Sequence, residues 1–220
     1  MNVLILGSGG REHCFAELIS KSKHCDKLFV APGNSGTSLM AQNLDFSPID
    51  FDLVKGAITK HNIQLVVVGP EDPLVSGIHD FIVSDPVLKG VKVIGPKQQA
   101  AQLEGSKDFA KGFMSRHNIP TAKSKSFTRD THNKAIDFLK TQSPPFVLKA
   151  DGPAAGKGVV ISHKLNDALL VLKKMLIDNS FGKSSEKVVI EEFLTGIEMS
   201  CFVLFDGKNY KTLPYAKDYK

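Results

Sequence analysis

Met1–His13 reads M-N-V-L-I-L-G-S-G-G-R-E-H. Val3–Leu6 is a short, wholly apolar run. A strand with one wet face would alternate, so this run predicts a parallel strand covered on both faces. The turn Gly7-Ser8-Gly9-Gly10 follows, and an amphipathic helix is predicted from near Arg11 to about Ser20. The same rhythm recurs downstream. Lys27–Ala31 is a second strand closed by Pro32-Gly33-Asn34, and Leu53–His61 reads as a helix. Leu65–Val68 is a third buried strand ending at Gly69-Pro70-Glu71. Ile78–Ser84 is a helix, and Val91–Ile94 is a fourth strand ending at Gly95-Pro96. Strands alternating with helices, each strand closed by a Gly/Pro loop, predict an open, Rossmann-like parallel α/β sheet. Such sheets bind ligands outside the carboxyl ends of their strands, where all four loops fall.

The first turn invites comparison with the dinucleotide fingerprint G-x-G-x-x-G. Gly7 and Gly9 fit, but the third position is Glu12, and the second strand ends in Ala31-Pro32-Gly33 instead of an acid for a ribose hydroxyl. A nicotinamide dinucleotide is therefore not expected. The backbone amides of Gly7–Arg11 at a helix N-terminus still form an anion site, which holds a phosphate unless the turn is purely structural. Gly69–Pro73 (GPEDP) reads as a stiff loop with paired carboxylates. Glu71 could accept hydrogen bonds from sugar hydroxyls or an amine, whereas Asp72 reads as a turn or helix-entry residue. Asn34 is either a ligand contact or ordinary turn chemistry.

From Ile119 the texture changes. A helix pair over Gln98–His117, broken near Gly105-Ser106, leads through Pro120 and a Thr/Lys/Ser stretch to a helix at His132–Lys140. Then come a strand at Phe146–Ala150, the loop Asp151–Gly158, a strand at Val159–Ser162 and a helix over about 166–178. Val188–Phe193 is a strand, and Met199–Phe205 pairs with Asn209–Leu213 as a hairpin around Asp206-Gly207. This half is α+β, and the boundary lies near residues 103–120. Val147–Val159 (VLKADGPAAGKGV) carries the sharpest signal. Gly152 to Gly156 is one residue short of a Walker A loop, Gly158 stands where a magnesium-binding Ser/Thr would be, and no helix follows at once. A glycine loop between antiparallel strands, whose amides and Lys157 fold over a triphosphate, is a different device. Lys149 would add a second ammonium. Lys107, a cation at a helix start, breaks a local rule and so hints at function. Val188–Glu198 is a strand leading to a turn whose backbone could meet adenine, with Glu198 in reach of a ribose hydroxyl.

The bulk numbers are those of an ordinary globular protein. The 220 residues are 42% hydrophobic and 23% charged, with a net charge of +5. Only Arg11, Arg116 and Arg129 are arginines, and the lysines are spread along the chain, so no nucleic-acid stripe is expected. Cys14 falls in an apolar helix and Cys201 in an apolar strand, both expected to be buried thiols. With Cys25 they make an odd set without CxxC spacing, which predicts a reducing, cytoplasmic setting. The opening residues lack the basic start of a signal peptide, and no membrane partner is expected.

Taken together, NVLILGSGGREH, APGNSGT, VVVGPEDPLV, LEGSK, KADGPAAGKGV and VIEEFLTGIEMS resemble, in this order and over the whole chain, the glycinamide ribonucleotide synthetases of the ATP-grasp superfamily. The resemblance implies a pre-ATP-grasp domain at 1–103 and an incomplete ATP-grasp domain at 104–220, with a lid subdomain at about 120–192. It implies a reaction of ATP, glycine and 5-phosphoribosylamine through a glycyl phosphate, and a monomer. Lys107 and Lys149 would contact the ATP phosphates, under a loop that includes Gly156, Lys157 and Gly158. Glu191, Phe193 and Leu194 would hold adenine, and Glu198 the ribose. Gly9, Gly10, Arg11, Asn34, Glu71 and Asp151 would line the substrate side. No catalytic side chain or metal ligand is expected within the chain. The ligands of magnesium (or manganese) would lie beyond Lys220, and the 220 residues alone are expected not to turn over. Pro153 departs from the aliphatic residue usual in the family and would stiffen the loop.

Overall fold

The computed structural model describes residues 1–153, 158–180 and 182–217. The elements of the first half are β1 (Asn2–Gly7), α1 (Gly10–Ser20), β2 (Lys27–Pro32), β3 (Gln42–Asn43), α2 (Phe51–Lys60), β4 (Leu65–Val68), α3 (Glu71–Ser76), α4 (Ile78–Ser84) and β5 (Lys92–Ile94). The strands pair in parallel in the order β3-β2-β1-β4-β5. Side chains alternate across the sheet, and both faces are covered. Leu4, Leu6, Phe29, Ala31, Val66 and Val68 meet Val54 and Ile58 of α2 and Ile78 and Ile82 of α4. Val3, Ile5, Leu28, Val30 and Val67 meet Ala16 of α1. Double coverage is why the strands read as unbroken apolar runs.

The helices α5 (Gln98–Gly105) and α6 (Lys107–Arg116) meet at Ser106, whose hydroxyl accepts the Phe109 N–H at 3.1 Å and caps α6. The second half follows as β6 (Ser124–Thr128), α7 (His132–Lys140), β7 (Phe146–Ala150), β8 (Val159–Ser162), α8 (Leu165–Leu176) and β9 (Lys187–Glu191). Its sheet is antiparallel in the order β6-β9-β7-β8. One face packs Phe127, Phe146, Leu148, Val188 and Ile190 on Ala135 and Leu139 of α7 and Leu172 and Met175 of α8. The period of two turns Val147, Lys149 and Glu191 to the opposite face. The chain ends in β10 (Met199–Ser200), β11 (Val203–Phe205), β12 (Tyr210–Thr212) and β13 (Ala216–Lys217).

An ion pair between Asp108 of α6 and Lys187 of β9 ties the helix to this sheet. The hydrogen bond from Lys187 holds the Asp108 carboxyl below its ordinary value of 3.8. A carboxyl lowered by folding stabilises the native state above its unfolded pKa, and that contribution fades as pH falls through the folded pKa. Both side chains are more than a third exposed, so the effect is expected to be small. Asp108→Asn should unfold at slightly lower urea than the unaltered chain at pH 7. The gap should close below pH 3.8; a gap that persists there would remove the ion pair as its cause.

Several sequence expectations need correction. The stiff loop expected at GPEDP stops at Pro70, the N-cap of α3; Glu71 opens that helix, and Asp72 lies in its first turn as a helix-entry residue, as expected. Cys14 and Cys201 are exposed, and Cys201 lies between β10 and β11 outside any strand. The strand expected at Val188–Phe193 ends at Glu191. The expected single hairpin is two ribbons: Val203–Phe205 pairs with Tyr210–Thr212, while Met199–Ser200 pairs with Ala216–Lys217. The Thr/Lys/Ser stretch contains an unforeseen strand, β6, at the sheet edge. Among the described residues no helix is long and apolar enough to cross a membrane.

Candidate functional site

At the carboxyl edge of the parallel sheet, three consecutive residues of α1 lock three loops together. The Arg11 guanidinium donates to the Gly69 carbonyl at 2.7 Å. The Glu12 carboxylate accepts the Gly9 N–H at 2.6 Å. His13 lies against Gly36, where an added Cβ would come within 2.3 Å of its ring. The loops are tied further by Gly33 N–H to Gly7 O at 3.1 Å and Gly69 N–H to Leu6 O at 3.0 Å. The Asn34 amide donates to Ser8 O at 2.9 Å, and its carbonyl accepts the Gly36 and Thr37 N–H groups. Asn34 therefore builds the turn. Glu71 is exposed at the start of α3, on the same edge. Gly9, Gly10 and Arg11 occupy the turn and the first residues of α1, and no side-chain contact crowds Gly10.

The close packing makes glycine obligatory at 69. A Cβ there would stand 1.9 Å from the Glu12 carboxylate and 2.7 Å from its Cγ. Gly69→Ala should cost about 1–3 kcal/mol by overpacking. Urea unfolding checks this, and Gly69→Ala should cost much less when made in a Glu12→Ala background than in the unaltered chain. An equal cost in both backgrounds would exclude this clash as the cause.

The second cluster lies on the open face of the antiparallel sheet. Lys149 on β7 and Glu191 at the end of β9 stand on that face by strand alternation, two residues apart in register, because Lys149 pairs with Val189. Their side chains meet at 2.7 Å, and Lys111 of α6 approaches the other Glu191 oxygen at 3.5 Å. The Glu191 side chain is only 7% exposed. Above this pair is a cavity of about 530 Å³ lined by Val147, Lys149, Val159, Ile161, Glu191 and the 192–198 connector. The connector brings Phe193, Leu194 and Glu198 to the rim. The β9 ladder stops at Glu191, so the backbone from Phe193 onward lies outside the sheet.

Lys107 opens α6 beside this cluster, outside the cavity lining. Its ammonium donates to the carbonyls of Asp151 and Gly152 at 3.2 and 3.3 Å. Burial pushes its pKa below the ordinary lysine value of 10.5. Asp151 opposes that shift and Lys149 adds to it. The Asp151 carboxylate is engaged with the Ser106 hydroxyl and the Asp108 N–H at 2.7 Å, where it caps α6. Gly152 and Pro153 are fastened to Ser184 through its carbonyl and hydroxyl. Gly158 is buried and its carbonyl accepts the Ala150 N–H at 2.7 Å. Gly156 and Lys157, both expected over the triphosphate, lie outside the described residues.

The structure thus brings Lys107, Lys149, Glu191, Phe193, Leu194 and Glu198 to one region. The glycine turn with Arg11, Asn34 and Glu71 forms a separate edge that does not line the cavity. A smaller cavity of about 320 Å³ between Ile58 and Val91 is at the amino-terminal edge of the parallel sheet, away from every loop named above. Sequence reading missed Lys111 and the side-chain role of Glu191, because both depend on register between distant elements. Among the described residues no group of three His, Cys, Asp or Glu is placed to hold a metal ion.

Residues 1–104 match the N domain of phosphoribosylglycinamide synthetase, and residues 105–220 match its ATP-grasp (A) domain. The phosphoribosylamine–glycine ligases of Haemophilus influenzae and Pasteurella multocida are 46% and 44% identical over all of this chain and half of theirs. The chain spans about half the length of the curated relatives it matches. The crystal structure of the Thermotoga maritima phosphoribosylamine–glycine ligase superposes with a TM-score of 0.77 at 32% identity, covering 98% of this chain and 49% of that one. An Aspergillus clavatus N5-carboxyaminoimidazole synthase in complex with ADP and 5-aminoimidazole ribonucleotide shares the fold alone. Its TM-score is 0.74 at 15% identity, over all of this chain and 54% of that one.

Proposed function

We propose, from the premise that this chain belongs to the phosphoribosylglycinamide synthetase family, that it supplies the nucleotide and phosphosugar sites for ATP-dependent joining of glycine to 5-phosphoribosylamine. The products are glycinamide ribonucleotide, ADP and phosphate, by way of a glycyl phosphate. Residues 1–103 form the substrate domain and residues 104–220 the nucleotide domain. The observation that carries the reading is the half-buried Lys149 paired with the nearly covered Glu191 carboxylate beneath the connector, with Lys107 beside it. Phosphoryl transfer depends mainly on positioning and charge neutralisation. Lys149 and Lys107 neutralise phosphate charge, and Glu191 holds Lys149 ready in the absence of an anion. Phe193 and Leu194 flank the purine, their backbone outside the ladder offers hydrogen bonds to its edge, and Glu198 accepts from the ribose. Arg11 with the α1 amides from Gly10 onward holds the sugar phosphate, the Gly9 N–H being taken by Glu12, and Glu71 is within reach of the sugar or amine. Magnesium supplies further neutralisation when bound with ATP.

Titration of the chain with Mg–ATP and, separately, with ribose 5-phosphate tests both ends. Two independent, saturable sites are the expected result. Mutual competition for one site would sink the proposed division.

A further inference from the structure

We infer that Glu12 is a positioning residue for the phosphosugar end of the site. This rests on the reading that the glycine turn takes a sugar phosphate. Glu12 stands at the third position of the glycine pattern, where a dinucleotide-binding turn needs a small residue. It is 5% exposed, and its carboxylate accepts the Gly9 N–H at 2.6 Å. Its side chain fills the space that Gly7 and Gly69 leave open. A Cβ on either residue would meet it at 2.6 Å or closer. Arg11 grips the Gly69 carbonyl at 2.7 Å. Adjacent residues thus clamp the β1–α1 turn to the β4–α3 turn, one by a buried wedge and one by a charged hydrogen bond.

The clamp determines which donors face a ligand. The Gly9 amide turns inward to Glu12 and is not available to an anion. The donors that remain are the first-turn amides of α1 from Gly10 onward, an end that the helix dipole also favours for negative charge. Nothing lies within 4 Å of a Cβ placed on Gly10, so the backbone is approachable there. Glu12 itself is too buried to touch the ligand, and it acts by holding the turn and Arg11 in register.

Binding of ribose 5-phosphate to the 220-residue chain, with Gly9 amide exchange read alongside, tests this. Glu12→Ala should weaken ribose 5-phosphate about tenfold or more, the effect of one charge-assisted hydrogen bond to a backbone amide. Glu12→Gln, which keeps the acceptor and the volume, should stay within about threefold. Affinity for a non-hydrolysable ATP analogue should not change in either. Gly9 exchange should accelerate in Glu12→Ala and remain slow in Glu12→Gln. Where Glu12→Ala fails to melt cooperatively, Glu12→Asp replaces it, since one methylene fewer shortens the reach to Gly9. Unaltered sugar-phosphate affinity in Ala or Asp would overturn the inference, as would a Gln variant no better than Ala. If the unaltered chain binds no ribose 5-phosphate, the phosphate reading fails, and Gly9 exchange decides the role of Glu12. Equal exchange in all variants then overturns it, and fast exchange in Ala or Asp alone supports it.

Discussion

Lys149→Met is expected to weaken binding of a non-hydrolysable ATP analogue by about 50-fold, the loss of one charge-assisted contact to phosphate. It should also destabilise the chain. The Glu191 side chain is 7% exposed, with Lys149 at 2.7 Å and Lys111 at 3.5 Å. Removing the nearer ammonium leaves a largely buried carboxylate with only Lys111 beside it, and leaving such a group half-satisfied costs about 1–3 kcal/mol. Adding Glu191→Gln removes the stranded charge. The double variant should regain most of the stability and little of the binding. Calorimetric melting and analogue titration on the three variants separate the two effects. If affinity returned with stability, Lys149 would be acting on the fold and not on the phosphates.

The second large effect concerns pH. Burial lowers the Lys107 pKa below 10.5, with Lys149 reinforcing the shift. The fold therefore disfavours the charged form of Lys107. This penalty applies at neutral pH and is relieved as pH rises through the lowered value. A polyphosphate beside Lys107 prefers the ammonium and pulls its pKa back up. Binding should take up protons in the alkaline range below pH 10.5, and affinity should fall about tenfold there as the free chain loses that charge. Lys107→Arg keeps its charge throughout, because guanidinium is not deprotonated in proteins. Its affinity should stay nearly flat over the same range. Titrations in buffers of different ionisation enthalpy measure the proton uptake directly. An equally steep decline in both chains would place the titrating group elsewhere.

The parallel half was legible because burial on both faces writes itself as apolar runs: Val3–Leu6 and Leu65–Val68 could hardly be anything else. The strands flanking the glycine loop and the helix over His132–Lys140 were legible for similar reasons. β6 was not, since it is an edge strand with Phe127 as its only buried residue and a polar sequence around it. The ribbons from Met199 onward were misread because their exposed apolar residues give no signal of which strand pairs with which. At the site, residue types pointed to Lys107 and Lys149. The partners of those lysines did not follow, because Glu191 meets Lys149 only through β7–β9 register and Asp151 meets α6 across 43 residues of chain. Glu12 was visible only as the residue that breaks a motif. Its contact with Gly69 belongs to the folded chain.

That contact also constrains how the protein can change by single steps. A side chain at position 69 finds room only once position 12 has shrunk, and position 7 faces the same neighbour at 2.6 Å. Two otherwise tolerable replacements are then accessible in one order and blocked in the reverse. A saturation library built on a Glu12→Ala background should accept residues at 69 that the same library on the unaltered background rejects.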